Sequence, residues 1–479
     1  MIKAGFFETD ITPIVGMERP ATYYKIYINK INDPLKVRAA VLDNGDERIA
    51  IIGIDACVIS DNIVAEARQK IHEWCGIKPQ NIMLAASHTH SGGLLWPSVP
   101  GLEQASALIN RLVLEESISP DKLYEKWVIG QIVNAVVMAD NHKQEVTISV
   151  GRGIEDRVAF NRRFRLKNGR CATHPGKGNP EIIESAGPMD PEVGVIAAWD
   201  KEDRLVGCIV NFSCHATCDG TGATADYIGY IAKTIQGVMG TQAQMIFING
   251  ACGDITQFDN RSLQEQKLEA RWSKIVGTRV GAEAIKVLIG ADKGNHFTLR
   301  AISEKIRLRH RPPSPASLVK AKAIVEEGLR SGKKDTAFHF SKERLILEHT
   351  IKYEPEKEME IQAIQIGPVV IISNPAELFC AWGLEIKKRS NFPFTFVATL
   401  ANGICGYVPT EDALDPQTGG GYETVLTCFT SLEIGAGRKI VETSLALAAQ
   451  LQPEQVPEGK KVAPSNTVWS FGALGPELE

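Results

Sequence analysis

The sequence predicts an α/β protein of repeated strand-helix-strand units forming mixed sheets flanked by helices, with a site at the strand ends. Three observations predict it. Apolar runs of strand length stop abruptly at polar residues, amphipathic stripes of helix length lie between those runs, and the polar stops recur in each repeat.

In the first unit an apolar run from Arg48 ends at Asp55. A helix from near Asp61 to Trp74 places Ile63, Ala67, Ile71 and Trp74 on one face, and the next run ends at His88. In the second, the run through Phe212 precedes His215, then Ile228, Ile231, Ile235 and Val238 form a helical stripe. The following run from Ala243 stops at a Gly250–Thr256 loop carrying Cys252, Asp254 and Thr256. In the third, a run from Val369 reaches Glu377, a helix carries Leu378, Trp382 and Ile386, and a run from Phe394 leads to Tyr407. Helical crossovers make paired strands parallel, so both polar ends of a unit are expected at one edge of a sheet. The repetition therefore predicts convergence. The units share a pattern and little residue identity, so common α/β construction accounts for them as well as duplication does.

Between the units, Ser119-Pro120 reads as N-cap and first residue of a helix reaching about Asp140, and Ser314-Pro315 opens another that runs to about Ser331. Residues 151–200, rich in Arg, Gly and Pro, read as a long excursion containing Phe160-Asn161-Arg162-Arg163-Phe164. The expected organisation is one catalytic domain over residues 1–450 and a surface arm over 451–479, with prolines at 453, 457 and 464.

A chain of 479 residues with 44% hydrophobic and 23% charged residues has an ordinary globular composition. Its net charge of -4 offers no electrostatic case for nucleic acid or an anionic membrane, which favours a small-molecule substrate. The N-terminus lacks the apolar core of a secretory signal, and no apolar run spans a bilayer, so a cytoplasmic location without stable membrane insertion is expected. Oligomeric state stays open. The ten cysteines lack paired CxxC spacing and are expected to be buried, reduced thiols.

The Ser87-His88-Thr89-His90 tetrad puts two imidazoles on a glycine-rich loop directly after a strand. Alone, a short histidine pair fits a polar surface loop equally well. Combined with His215, a carboxylate and a phenol from the other loops, it suits a divalent metal of intermediate softness, zinc first. Spacing alone does not nominate Tyr407.

Six ordered segments, Glu8–Pro13, Ser87–Gly92, Asn161-Arg162, Asn211–His215, Cys252–Asp254 and Gly406–Val408, resemble successive signatures of the neutral/alkaline (non-lysosomal) ceramidase family. The similarity covers that family's catalytic domain, about residues 3 to 450. The resemblance implies a zinc-dependent hydrolase that cleaves an N-acyl amide with metal-activated water. It implies His88, His215, Glu377 and Tyr407 as zinc ligands and His90, Arg162 and Tyr422 at the reaction centre. The segment before Tyr422 is longer than the family pattern, and Thr256 stands where a serine usually follows the Cys-Gly-Asp signature. Asp55, Asp254, Thr256 and His174 are weaker candidates for supporting or substrate-facing roles. Asp55 and Asp254 fit helix capping or main-chain bonding equally well. Well-known members are secreted or membrane-presented and carry a C-terminal β-sandwich domain. This chain is expected to be a cytoplasmic, bacterial-type member without it. The alternative is a metal-dependent lyase, isomerase or lactone/ester hydrolase acting on a soluble polyol or sugar acid.

Overall fold

The computed structural model describes residues 1–267, 269–459, 461–472 and 475–477. Each expected strand-helix-strand unit forms, and each sits in a different sheet. In the first sheet Arg48–Ile54 pairs parallel with Ile82–Ala86, and Lys36–Asp43, Lys3–Asp10 and Gln144–Glu145 extend it antiparallel. In the second, Leu205–Phe212 lies parallel to Gln244–Asn249, continued by Glu192–Trp199, Thr147–Ile154 and Lys293–Gly294. In the third, Val369–Ser373 pairs parallel with Phe394–Ala398, and Glu356–Ile366 and Leu299–Arg309 complete it. Both polar ends of each unit thus lie at one edge of its own sheet, as expected, and the three edges come from three different sheets.

Strand alternation explains why the apolar runs are continuous. Ile49, Ile51, Met83, Ile209, Ile246, Ile248, Ile371 and Phe396 point inward and meet in one core shared by all three sheets. Their neighbours Ile52, Val210, Phe247, Val370 and Ile372 face outward onto helices. A strand buried on both faces carries no polar side. Ile371 is fully buried, and its truncation to alanine should cost about 2–5 kcal/mol. A helix pair covers each outer face: Asp61–Cys75 with Lys122–Asn141, Asp226–Met239 with Ala270–Gly290, and Cys380–Arg389 with Ala436–Ala448.

Several local expectations shift. Trp74 and Val238, expected on the buried stripes, lie exposed in the last turns of their helices. Leu378 belongs to a short strand, Ala376–Leu378, and not to the helix that follows. The helix expected from Ser119 begins at Lys122, because Asp121 accepts from the amides of Leu123 and Tyr124 and wins the cap. Ser314 caps its helix as expected, accepting from Ser317. The excursion at 151–200 is partly regular, for it contains the sheet strand Glu192–Trp199.

Buried amides stitch the three sheets together beneath the strand ends. Asn211 donates to the carbonyls of Ile248 and Val397, Asn249 donates to that of Ser87, and Asn402 accepts from the amide of Leu84. The Asn211–Val397, Asn249–Ser87 and Asn402–Leu84 bonds cross between different sheets or loops, so the loops above them have little freedom to separate.

Candidate functional site

Above this stitched layer, the His88 loop and the His215 loop run side by side, bridged at Thr89 and Ala216. His88 takes a left-handed backbone conformation, φ 66°. Its Nδ1 lies 2.9 Å from the Cys57 carbonyl, and Nδ1 of His215 lies 2.7 Å from the Cys252 carbonyl. A carbonyl only accepts, so each Nδ1 carries a proton; Nε2 is the remaining nitrogen of each ring, a lone pair on the neutral His215 and on His88 once its second proton is displaced.

Both Nε2 atoms face one carboxylate. Glu377 Oε2 is 3.3 Å from Nε2 of His88 and 3.6 Å from Nε2 of His215. Yet Nε2 of His215 and Oε2 of Glu377 are buried without any hydrogen-bond partner among the described residues. Leaving two such atoms unsatisfied costs about 1–3 kcal/mol each, so this arrangement fits a bound cation. His88, His215 and Glu377 also bring their ligand atoms within 4.8 Å of one another. Burial favours a neutral Glu377, but the His88 and His215 imidazoles hold it well below the ordinary carboxylate range. Burial, Arg162 and His88 push His215 down to about 3. Burial opposes protonation of His88 too, yet Cys57 and Glu377 hold its proton well above the usual imidazole range.

Tyr407 is set beside Glu377 by strand pairing. Ala376–Leu378 and Gly406–Val408 run parallel with Glu377 and Tyr407 as partners. The pairing needs two glycines. A Cβ on Gly406 would meet the Phe429 carbonyl at 2.3 Å, and one on Gly253 would meet the Glu377 carbonyl at 2.4 Å. The Tyr407 hydroxyl accepts from Arg162 Nη2 at 3.1 Å, while burial and Glu377 push the phenol well above its ordinary value. A cation at this position would reverse that preference.

Arg162 is itself fixed at several points. Nη2 also donates to the Gly253 carbonyl at 2.9 Å, Nε donates to Glu423 at 2.5 Å, and the Arg162 amide donates to the Asp254 carbonyl. Glu423 is fully buried and also accepts from Thr173.

A small cavity of about 60 Å³ opens over these groups, lined among others by His88, His90, Glu377, Tyr407 and Tyr422. Nε2 of His90 lies 3.4 Å from Nε2 of His88. Burial and the two neighbouring imidazoles hold His90 well below its ordinary value, so it is neutral. Tyr422 is 39% exposed, but its hydroxyl turns inward to accept from Tyr23 at 2.8 Å. Burial pushes the Tyr422 phenol up to about 12.

The weaker candidates lie outside the cavity lining. Asp55 accepts from Arg38 and from the Lys36 amide, a buried ion pair within the first sheet. Asp254 accepts from Asn161 at 2.6 Å and from the Cys380 amide at 2.8 Å, joining the Arg162 strand to a helix start. Thr256 pairs with Phe160 in the short ladder that ends just before Arg162. His174 bonds Asn260, and its amide donates to the Arg162 carbonyl, one layer behind the cavity.

Sequence reasoning passed over Cys57, Glu423, Tyr23, Trp96 and Phe429. The role of Cys57 lies in a main-chain carbonyl, which no side-chain motif reveals. Glu423 had one signal, adjacency to Tyr422. All ten cysteines are free, and most are buried.

No known family model matches this sequence, and no curated protein matches it. Solved structures do. Neutral ceramidase from Pseudomonas aeruginosa matches with a TM-score of 0.68 at 18% identity, covering 97% of this chain and 76% of that one. A ceramidase complexed with C2 matches with a TM-score of 0.69 at 18% identity, covering 98% and 78%. The chain therefore has the mixed α/β fold of these enzymes across almost its whole length. Among the described residues no helix is long and apolar enough to cross a membrane.

Proposed function

We propose that this chain is a zinc-dependent amide hydrolase of the neutral ceramidase family, cleaving an N-acyl bond in a small or moderately apolar substrate. The observation that carries the reading is the orphaned pair, Nε2 of His215 and Oε2 of Glu377, buried beside Nε2 of His88. The fold shared with ceramidases and the ordered motifs support the same reading.

His88, His215, Glu377 and Tyr407 would hold the ion. Two imidazoles and two oxygen donors are the chemistry zinc accepts, and their Nδ1–H···O=C bonds orient the rings. Such an ion supplies Lewis acidity and an activated water near neutral pH.

The remaining groups divide the proton and charge work. Neutral His90 faces the cavity and is able to accept a proton from the nucleophile and return it to the leaving amine. Tyr422 receives its hydrogen bond from Tyr23, which leaves its own O–H free to donate to the oxyanion developing on the acyl carbon. Arg162 acts through Tyr407: with Nε on Glu423 and Nη2 on Gly253 and Tyr407, it is a positioning residue that favours the phenolate.

The test couples metal analysis of purified protein to a panel of N-acyl amides, esters, lactones and sugar acids in ¹⁸O-labelled water. Amide hydrolysis places one solvent oxygen in the acid product. A metal-free protein that turns over normally, or isomerised sugar acid without solvent oxygen, would sink the reading.

A further inference from the structure

Tyr422 takes its orientation from Tyr23, and Tyr23 stands near the tip of a loop that is closed at its base. There the amide of Gly16 donates to the Ile28 carbonyl, that of Ile28 to Met17, and that of Arg19 to Ile26. Beyond these rungs the tip, residues 20–25, contributes Ala21, Thr22 and Tyr23 to the wall of the small cavity. Among the described residues, the tip makes one main-chain hydrogen bond to a distant part of the chain: the Tyr23 carbonyl accepts from Nζ of Lys342.

Lys342 lies fully buried on the helix Thr336–Tyr353. Taking an ammonium out of water is costly unless its donors are satisfied. Nζ also donates to the Glu116 carbonyl at 2.8 Å and lies 3.4 Å from Oε1 of the buried Glu343, so all three donors face an acceptor. An ion pair with Glu343 alone would need neither carbonyl. The same helix carries Phe340, whose ring meets Tyr23 edge-on at 5.6 Å and tilts against Tyr422 at 6.4 Å. Phe429 packs on Tyr23 at 6.0 Å. Ring packing yields to sliding, whereas a charge-assisted hydrogen bond is short and directional, so the ammonium sets where in this stack the Tyr23 hydroxyl comes to rest.

We propose that Lys342 is a positioning residue for the reaction: by holding the Tyr23 carbonyl it fixes the Tyr23 hydroxyl, which in turn aims the Tyr422 hydroxyl at the acyl oxygen. This rests on the amide-hydrolase reading, in which Tyr422 donates to the developing oxyanion. A donor of that kind works only when held within about 0.5 Å of its place, and Tyr422 itself is partly exposed. Lys342 touches neither substrate nor metal ligands. It acts through two tyrosines.

The test is a mutant cycle on the full, metal-loaded chain, read as kcat, KM, metal content and thermal melting with the panel amide that the unaltered protein cleaves fastest. Removing Lys342 alone would strand the Glu343 carboxylate in the core, so both charges are removed together. Lys342→Met with Glu343→Gln should lower kcat about tenfold, with KM and metal content unchanged. Lys342→Gln with Glu343→Gln keeps a donor toward the Tyr23 carbonyl and should recover most of that loss; it also carries the cycle if the Met version does not melt cooperatively. Tyr422→Phe should lower kcat roughly 100-fold. Adding either Tyr23→Phe or the Lys342–Glu343 change to Tyr422→Phe should then alter kcat by less than about twofold, because all three act through one hydroxyl. Losses that multiply in that background, an unchanged kcat in the Met version, or a parallel loss of metal would overturn the proposal and leave Lys342 as a core contact. Unaltered protein that leaves every amide of the panel intact would overturn the reaction itself and this role with it, whereas multiplying losses in an active enzyme overturn this role alone.

Discussion

His88 and His215 are each held by one main-chain carbonyl, that of Cys57 and that of Cys252, whereas Arg162 across the cavity is held by the side chain of Glu423, 261 residues away. The histidine side hangs from the ends of strands that a shared core makes rigid. The arginine side is assembled from loops and from an ion pair buried within them. A carbonyl acceptor survives substitution of its own side chain, but a buried carboxylate does not. Damage should therefore behave differently on the two sides: loss of the ion on the first, loss of local order with the ion retained on the second.

The sharpest test of that contrast is His88→Ala, which should lose the metal and reduce turnover by roughly 1000-fold or more, measured by metal content beside kinetics. Glu423→Gln strikes the opposite side. Leaving the Arg162 guanidinium buried without its carboxylate should cost about 3 kcal/mol by denaturant melting, with near-stoichiometric metal. Metal loss in that variant would break the comparison, because the two sides would then be one cooperative unit. His90→Ala should keep its metal and lower turnover by roughly 100-fold, the loss expected of a group acting only in the transition state. If it strips the ion as completely as His88→Ala, the tetrad chelates through both rings.

The smallest effect concerns pH. In the metal-free protein the proton on His88 is held well above the ordinary imidazole value, and uptake of the ion must displace it. Metal affinity should then fall as pH drops below the raised value, about tenfold per unit for each proton displaced, with two protons, those of His88 and of the Tyr407 phenol, released per ion on titration in buffers of different ionisation enthalpy. Glu377, already ionised, adds no slope in that range. The sign reverses for the stability of the metal-free fold. His88 contributes fully below about pH 6.5, and that contribution is lost as pH rises through its folded-state value. A metal affinity flat across this range would refute the assignment.

Much of the histidine side was legible before folding. Continuous apolar runs and helical stripes located three strand-helix-strand units, and their polar stops brought forward His88, His215 and Glu377, whereas Tyr407 and the ligand set as a whole came from the family resemblance. That the three units fall in three different sheets was not legible, because a continuous apolar run reports that a strand is buried on both faces and not which sheet buries it. Ile51, Ile246 and Ile371 read alike in sequence, and they face one another from three sheets.

What the sequence determined alone was local: which segments become strands and helices, and which ordered motifs carry imidazole, carboxylate and phenol. These follow from backbone geometry and from side chains near in the chain. Only the tertiary structure decided which lone pairs remained unsatisfied. It turned the Nδ1 atoms onto the carbonyls of Cys57 and Cys252, paired Arg162 with Glu423, and left Asp55 to Arg38 and Asp254 to Asn161. A hydrogen bond depends on distance and direction in space, so residues far apart in sequence acquire their chemistry only when the core fixes where each one points.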